Sequence, residues 1–238
     1  MPIEITQLTD EDIPSAVECI QEAFKDDPYN NWVFHPLSSF SKTRNTHSLT
    51  LRCKWGQKHA LFHVAKETSP TSPSSSPPKV LGVACWLPPK PLNSPQTWSS
   101  YFGDWWLWFE QVKMNLLLHP LTYLTTSRTR YYIWKRAQAS AQQTLWTDPS
   151  GYYFCNIVTV LPSAQGQGIG KKLFKHVTDQ ADNEGKRCYL ESSRAEPNLK
   201  IYEKMGFELK KEMVCDDDGD AITLYCMMRE PQKMQESS

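Results

Sequence analysis

Residues 162–174 read PSAQGQGIGKKLF, with glycines at 166, 168 and 170. Upstream, YYFCNIVTVL (152–161) is dominated by aromatic and β-branched residues, the composition of a strand. Downstream, KKLFKHVTDQADNEGKR places Leu173, Phe174, Val177 and Ala181 on one face of a helix. The glycines therefore sit where a buried strand runs into a helix N-terminus. Unpaired backbone N–H groups gather at such a junction, and the helix dipole favours an anion there.

Spacing separates the phosphate-binding loops that share this layout. A Walker loop needs Gly, four residues, then Gly-Lys-Ser/Thr; here Gly170-Lys171 is followed by Lys172, and the position five before Gly170 is Gln165. A dinucleotide fingerprint needs G-x-G-x-x-G, whereas Gly166 to Gly170 reads G-x-G-x-G and lies late in the chain. Counted from Gln165, the loop is Q-x-x-G-x-G. That pattern resembles the pyrophosphate-binding loop of the GNAT superfamily of acyl-CoA-dependent acetyltransferases.

A second segment carries the same resemblance. In PNLKIYEKMGF (197–207), Pro197 is expected at the first helical position and Gly206 just past the helix end. Asn198 and Tyr202, four residues apart, share one helix face. The segment resembles the N-x-x-x-Y-E-K-x-G-F stretch that follows the fifth strand of GNAT enzymes. The likeness is detailed over residues 151–207. FKDDPYNNW (24–32) and YLESS (189–193) further resemble puromycin-type and related small-molecule N-acetyltransferases.

The resemblance implies an α/β (α+β) fold, a mixed β-sheet splayed at its centre and flanked by helices. It implies acetyl-CoA as co-substrate, its pantetheine arm lying between the parted strands as a further strand would. Backbone groups of Val158, Thr159 and Val160 would bond that arm. Gln165, Gly166, Gln167, Gly168, Ile169, Gly170 and Lys171 would cradle the pyrophosphate, with Lys172 adding charge and a Cβ on the wrong residue blocking close approach. Asn198 would reach the pantetheine arm or phosphate, and Tyr202 would lie near the sulfur.

The chemistry needs these parts together: a neutral amine, an aligned thioester carbonyl and a proton for the departing sulfur. Tyr202 is the candidate general acid. A phenol near pKa ~10 is a mildly uphill donor to a thiolate near ~8.5, yet a positioned donor stabilises developing charge. Glu191, on the neighbouring strand, is the candidate base, and His35 is a second. Each residue has a structural alternative. Tyr202 could be a core aromatic pinning its helix, Glu191 a substrate-orienting or structural carboxylate, and His35 an ordinary loop histidine.

The rest of the chain bounds these readings. Its 238 residues suit one domain (1–238) with insertions rather than two. Residues 151–207 form the expected acetyl-CoA-binding core. Strand-like runs at 61–67 and 79–87 flank TSPTSPSSSPP (68–78), expected as a disordered Ser/Pro hairpin loop. Residues 92–146, rich in Trp and Tyr, read as an aromatic helical insertion of two or three helices, suited to cover the acceptor side. The expected order is β-α-(α)-β-β-helices-β-α-β-α-β, with DDDGD (216–220) as a solvated hairpin turn rather than a calcium loop. His59 and His63 have i,i+4 spacing but no third ligand follows, so no metal is expected.

Twenty-six Lys/Arg balance twenty-six Asp/Glu, which argues against nucleic acid as a partner. Seven cysteines without C-x-x-C spacing suggest reduced core thiols. The N-terminal residues lack a signal-peptide pattern, and the most apolar window carries Glu110, Lys113, Asn115 and His119. A cytoplasmic protein with no membrane partner, monomer or homodimer, is the expectation. The function expected is acetyl transfer from acetyl-CoA to a small-molecule amine. The alternatives are a protein or peptide N-acetyltransferase and a non-catalytic acyl-CoA-binding protein.

Overall fold

The computed structural model describes residues 3–35, 40–67, 79–91, 98–118 and 129–232, with backbone alone for 98–105. In chain order they form β1 (Ile3–Gln7), α1 (Ile13–Ala23), α2 (Pro28–Val33), α3 (Lys42–His59), β2 (Leu61–Glu67) and β3 (Val80–Leu87). Then come α4 (Trp98–Leu118), α5 (Thr129–Leu145), β4 (Tyr152–Val160), α6 (Ile169–Asn183), β5 (Arg187–Ser192), α7 (Asn198–Glu203), β6 (Glu208–Asp217) and β7 (Asp220–Arg229). The strands make one seven-stranded sheet in the order β1-β2-β3-β4-β5-β7-β6. Every neighbouring pair is antiparallel except β4 and β5, which run parallel at the centre.

Alternation along β3 sorts the two layers that cover the sheet. Gly82 faces α6: a Cβ there would stand 3.1 Å from Ile169 and 3.2 Å from Leu173, so its absence lets the helix settle. Trp86, on the same side, meets Phe174 of α6 edge-on at 5.2 Å. Cys85 points the other way, toward Ile20 of α1 and Cys53 of α3. On that second side α2 and α5 continue the cover, over Tyr152, Phe154, Tyr189 and Cys226. All seven cysteines are buried free thiols, as their apolar context suggests.

The helix ends follow local chemistry. Thr9 and Asp12 form a reciprocal cap around a single 3-10 turn, so α1 begins at Ile13 rather than directly after Thr9. The last hairpin turns through Asp218 and Gly219, both at positive φ, the type I′ geometry that Asp-Gly favours.

Three expectations need correction. The sheet has a strand, β6, that the expected order lacks, because Glu208, Lys210, Lys211 and Glu212 mask its alternation at an exposed edge. Three helices, not one or two, separate β1 from β2. Pro197 is the N-cap of α7 rather than its first residue. The Ser/Pro tract at 68–78 lies outside the described residues. Within 92–146, α4 and α5 are helical as expected, and 92–97 and 119–128 lie outside the described residues. Among the described residues no helix is long and apolar enough to cross a membrane.

Candidate active site

Strands β4 and β5 pair for only four residues, from Tyr152 opposite Arg187 to Cys155 opposite Leu190. Both strands continue, yet beyond Cys155 no pairing joins them. The cause sits on the other edge of β4. Cys85 lies opposite Ile157 and Trp86 opposite Cys155, so Asn156 has no partner on β3 and forms a bulge. A bulge bends its strand and increases its twist. Ile157 to Val160 stay paired with β3 while their edge toward β5 is left open. Leu161 N–H bonds the Leu81 carbonyl of β3. By alternation Thr159 also turns its backbone groups to β3, a correction to its expected role. Val158 and Val160 turn theirs to the open edge, where an extended, amide-bearing ligand could pair.

The open edge leads into the glycine loop. After Val160 a 3-10 turn (Pro162–Ala164) leads to Gln165, whose side chain donates back to the Val160 carbonyl at 3.3 Å. Gly166 and Gly168 hold φ of +78° and +75°, and Gly168 caps α6. A Cβ at either position meets nothing within 4 Å, and at Gly170 only Val160 Cγ2 at 3.8 Å. Within the protein Gly166 and Gly168 thus answer to backbone conformation rather than to crowding. Residues 165–168 are exposed, as are Lys171 and Lys172, and the unpaired N–H groups of the first turn of α6 lie beside them.

The end of β5 is held from two directions. Asn198 of α7 donates to Ser192 Oγ at 3.1 Å. Ser193 Oγ donates to Asp27, the N-cap of α2, whose other oxygen accepts from the Asn30 N–H at 3.0 Å. Helix α7 ends at Gly206, φ +86°, with Phe207 N–H bonding the Tyr202 carbonyl at 3.1 Å and Gly206 N–H the Glu203 carbonyl at 2.9 Å. This stop packs the Tyr202 ring against Phe174 at 5.5 Å and Phe207 at 6.3 Å. Burial first, then the neighbouring Cys155 and Asp27, push the Tyr202 phenol up from its ordinary value. At neutral pH it is a proton donor standing beside Cys155, the last paired residue before the strands part.

Glu191 faces the other side of the sheet. Its carboxylate accepts from Gln138 Nε2 of α5 at 2.8 Å and from the Tyr189 hydroxyl at 2.9 Å. Burial raises its pKa, while the Gln138 and Tyr189 hydrogen bonds and nearby Lys135 pull the other way. Helix α5 is fixed at its start by Arg130, which binds Asp217 at 2.8 Å, Asp220 at 2.7 Å and the Trp32 carbonyl at 3.0 Å. Asn156, Gln138 and Arg130 were not singled out by sequence: a bulge, a lone amide and a surface arginine carry no motif. His35 lies exposed on the loop after α2. His59 stacks on Trp55 and His63 meets His176 of α6, so these histidines occupy separate environments.

Residues 129–209 match the family model described as acetyltransferase (GNAT) domain. Those residues carry the GNAT acetyltransferase match, over about a third of the chain. An uncharacterized N-acetyltransferase of Schizosaccharomyces pombe is 26% identical over 244 residues, covering 98% of this chain and 94% of that protein. Arylalkylamine N-acetyltransferase 2 of Aedes aegypti superposes with a TM-score of 0.59 at 15% identity, covering 98% of this chain and 100% of that one. The PaiA N-acetyltransferase of Thermoplasma acidophilum, solved in complex with coenzyme A, gives 0.52 at 14% identity, over 97% of this chain and 99% of that one. These two share the fold. The matched domain supports an acyltransferase, and the GNAT family it matches uses acetyl-CoA as donor.

Proposed function

We propose that the protein transfers the acetyl group of acetyl-CoA to the amine of a small molecule. The observation that carries this reading is the parting of β4 from β5 after Cys155, with the Tyr202 phenol beside the point of parting and the glycine loop beyond it. Residues 151–207 then act as the donor-binding core. The open edge at Val158 and Val160 holds the pantetheine arm, the loop from Gln165 to Lys171 holds the pyrophosphate, and Asn198 steadies the arm from the other wall. Binding the donor through its remote phosphates fixes the thioester near the attacking amine, which lowers the entropic part of the barrier.

Transfer requires that a C–N bond form to the acetyl carbonyl carbon while its C–S bond breaks. The sulfur takes the Tyr202 proton, and Tyr202 recovers one from solvent. The amine's proton goes to Glu191, directly or through water. A buried carboxylate with a raised pKa is a better proton acceptor for this purpose than an exposed one. The Gln138 and Tyr189 bonds hold it in one orientation. His35, on its exposed loop, has no part in this scheme.

The preference for a small amine rests on cover. Helix α5 packs on β6, and its Gln138 reaches the Glu191 carboxylate, which leaves little room for an extended peptide. The test is thiol release from acetyl-CoA against a panel of free amines and N-terminal peptides. Free amines should give the higher kcat/KM. Turnover of peptides alone would favour a protein acetyltransferase, and acetyl-CoA binding without release would favour a non-catalytic binder.

A further inference from the structure

On the side of the sheet away from α6, a cavity of about 90 Å³ opens beside the bulge. One water needs about 10–15 Å³ on this measure, so the space holds a compact side chain. Its walls are apolar, from Ile20, Leu49, Phe62 and Leu107, and Asn156 and Ile157 of β4 form its border with the splayed edge. One charged residue lines it: Arg52 of α3, itself exposed and so at the mouth.

The charges around this space do not balance. Among the described residues, no carboxylate lies within ion-pair distance of Arg52. Lys135, from α5, brings a second cation, with its ammonium 4.8 Å over the Trp134 ring and 3.2 Å from Gln138 Oε1. Arg52 and Glu191 both act electrostatically on Lys135 and on the buried Tyr29 phenol, so these four groups surround one region. Glu191, the one carboxylate there among the described residues, already accepts from two neutral donors. Among the described residues, this corner therefore holds two cations and a single, already hydrogen-bonded carboxylate.

Resting on the acetyltransferase reading above, we propose that the acceptor is an apolar amino acid. Its side chain fills the cavity, its carboxylate pairs with Arg52, and its amine lies at the parted strands. An α-carboxylate stands only one carbon from its amine, which suits a guanidinium that lines the same cavity as Asn156. Arginine binds carboxylates through paired, charge-assisted hydrogen bonds. The same two cations repel polyamines and give nothing to a simple arylalkylamine.

The test compares matched acceptors, L-phenylalanine with phenethylamine and L-leucine with isoamylamine, in acetyl-CoA turnover. The amino acid of each pair should have the higher kcat/KM by ~10–10²-fold, the worth of a charged hydrogen-bond pair. In Arg52→Gln that ratio should collapse toward one through a rise in KM for the amino acid, and Arg52→Lys should recover part of it. Arg52 is exposed, so neither variant endangers folding. Equal or better use of the decarboxylated amines by the wild type would overturn the inference. So would an unchanged ratio in Arg52→Gln, or no turnover of either class by protein that binds acetyl-CoA calorimetrically. Failure to bind acetyl-CoA at all would instead overturn the proposed function.

Discussion

The α6 side of the sheet and the α3–α5 side are built for recognition by different means. On the α6 side the groups offered are backbone: the open edge of β4, two glycines at positive φ, and the first turn of a helix. On the other side they are side chains drawn from distant parts of the chain, with Gln138 and Lys135 from α5, Arg52 from α3 and Glu191 from β5. Backbone recognition suits a ligand that never changes, whereas side-chain recognition can be rewritten residue by residue without disturbing the sheet. On the proposed function, the donor half would hold its ligand chiefly by backbone and the acceptor half by side chains.

The largest effect is expected at Tyr202, where the two halves meet. Tyr202→Phe keeps the ring packed on Phe174 and Phe207 and removes only the hydroxyl. Single-turnover transfer from pre-bound acetyl-CoA should slow by ~10²–10⁴-fold, the range of a general acid, with donor affinity little changed. Wild-type single-turnover rates would make Tyr202 a packing residue and leave water as the proton source.

Glu191→Gln should act on the acceptor half alone. If the carboxylate takes the amine's proton, kcat/KM should fall by ~10²-fold near neutrality and recover at alkaline pH, where the amine is neutral unaided. Tight acetyl-CoA binding should persist. A rise in KM with unchanged kcat and no pH-dependent recovery would instead make Glu191 an orienting group.

A smaller effect, on stability, belongs to the donor half. His63 lies buried against His176, and burial first, then that neighbour's charge, lower its pKa to about 4. A histidine whose pKa falls on folding stabilises fully above its unfolded value near 6.5 and loses that contribution as pH falls toward 4. The loss should reach up to about 3 kcal/mol in denaturant titrations run from pH 7 to pH 4. His63→Phe should flatten this limb; an unchanged slope would assign the acid sensitivity to other groups.

No effect is expected from residues 68–78. Replacing them by a two-residue Asn-Gly turn between β2 and β3 should leave melting temperature and turnover unaltered. A large loss of turnover in the shortened protein would place part of the acceptor half in that tract.

The same division explains what could be read from sequence. The donor half was legible because backbone recognition leaves local marks. Positive-φ glycines are written as glycines, and Asn198 and Tyr202 fall four apart on one short helix. Strands β2 and β3 and the Asp-Gly turn were legible because their apolar runs and turn residues are local too. The acceptor half was not, because its members meet only through folding. Nothing near Gln138 announces Glu191, and the bulge at Asn156 exists only once β3 and β4 are paired in register. Strand β6 escaped because an edge strand can carry charge at most of its positions, which hides the period of two.

The central claim is that acetyl-CoA is held by the loop and the open edge of β4. The most direct test is calorimetric titration of acetyl-CoA into the wild type and Gly168→Asp. Aspartate is among the residues that tolerate the left-handed conformation held at 168, and a Cβ there meets open space, so the fold should survive, as circular dichroism would check. A carboxylate placed at the helix N-terminus would then oppose the pyrophosphate. The wild type should bind and the folded variant should bind at least ~10²-fold more weakly, which is about 2.7 kcal/mol. Equal affinity in the two folded proteins would contradict the account.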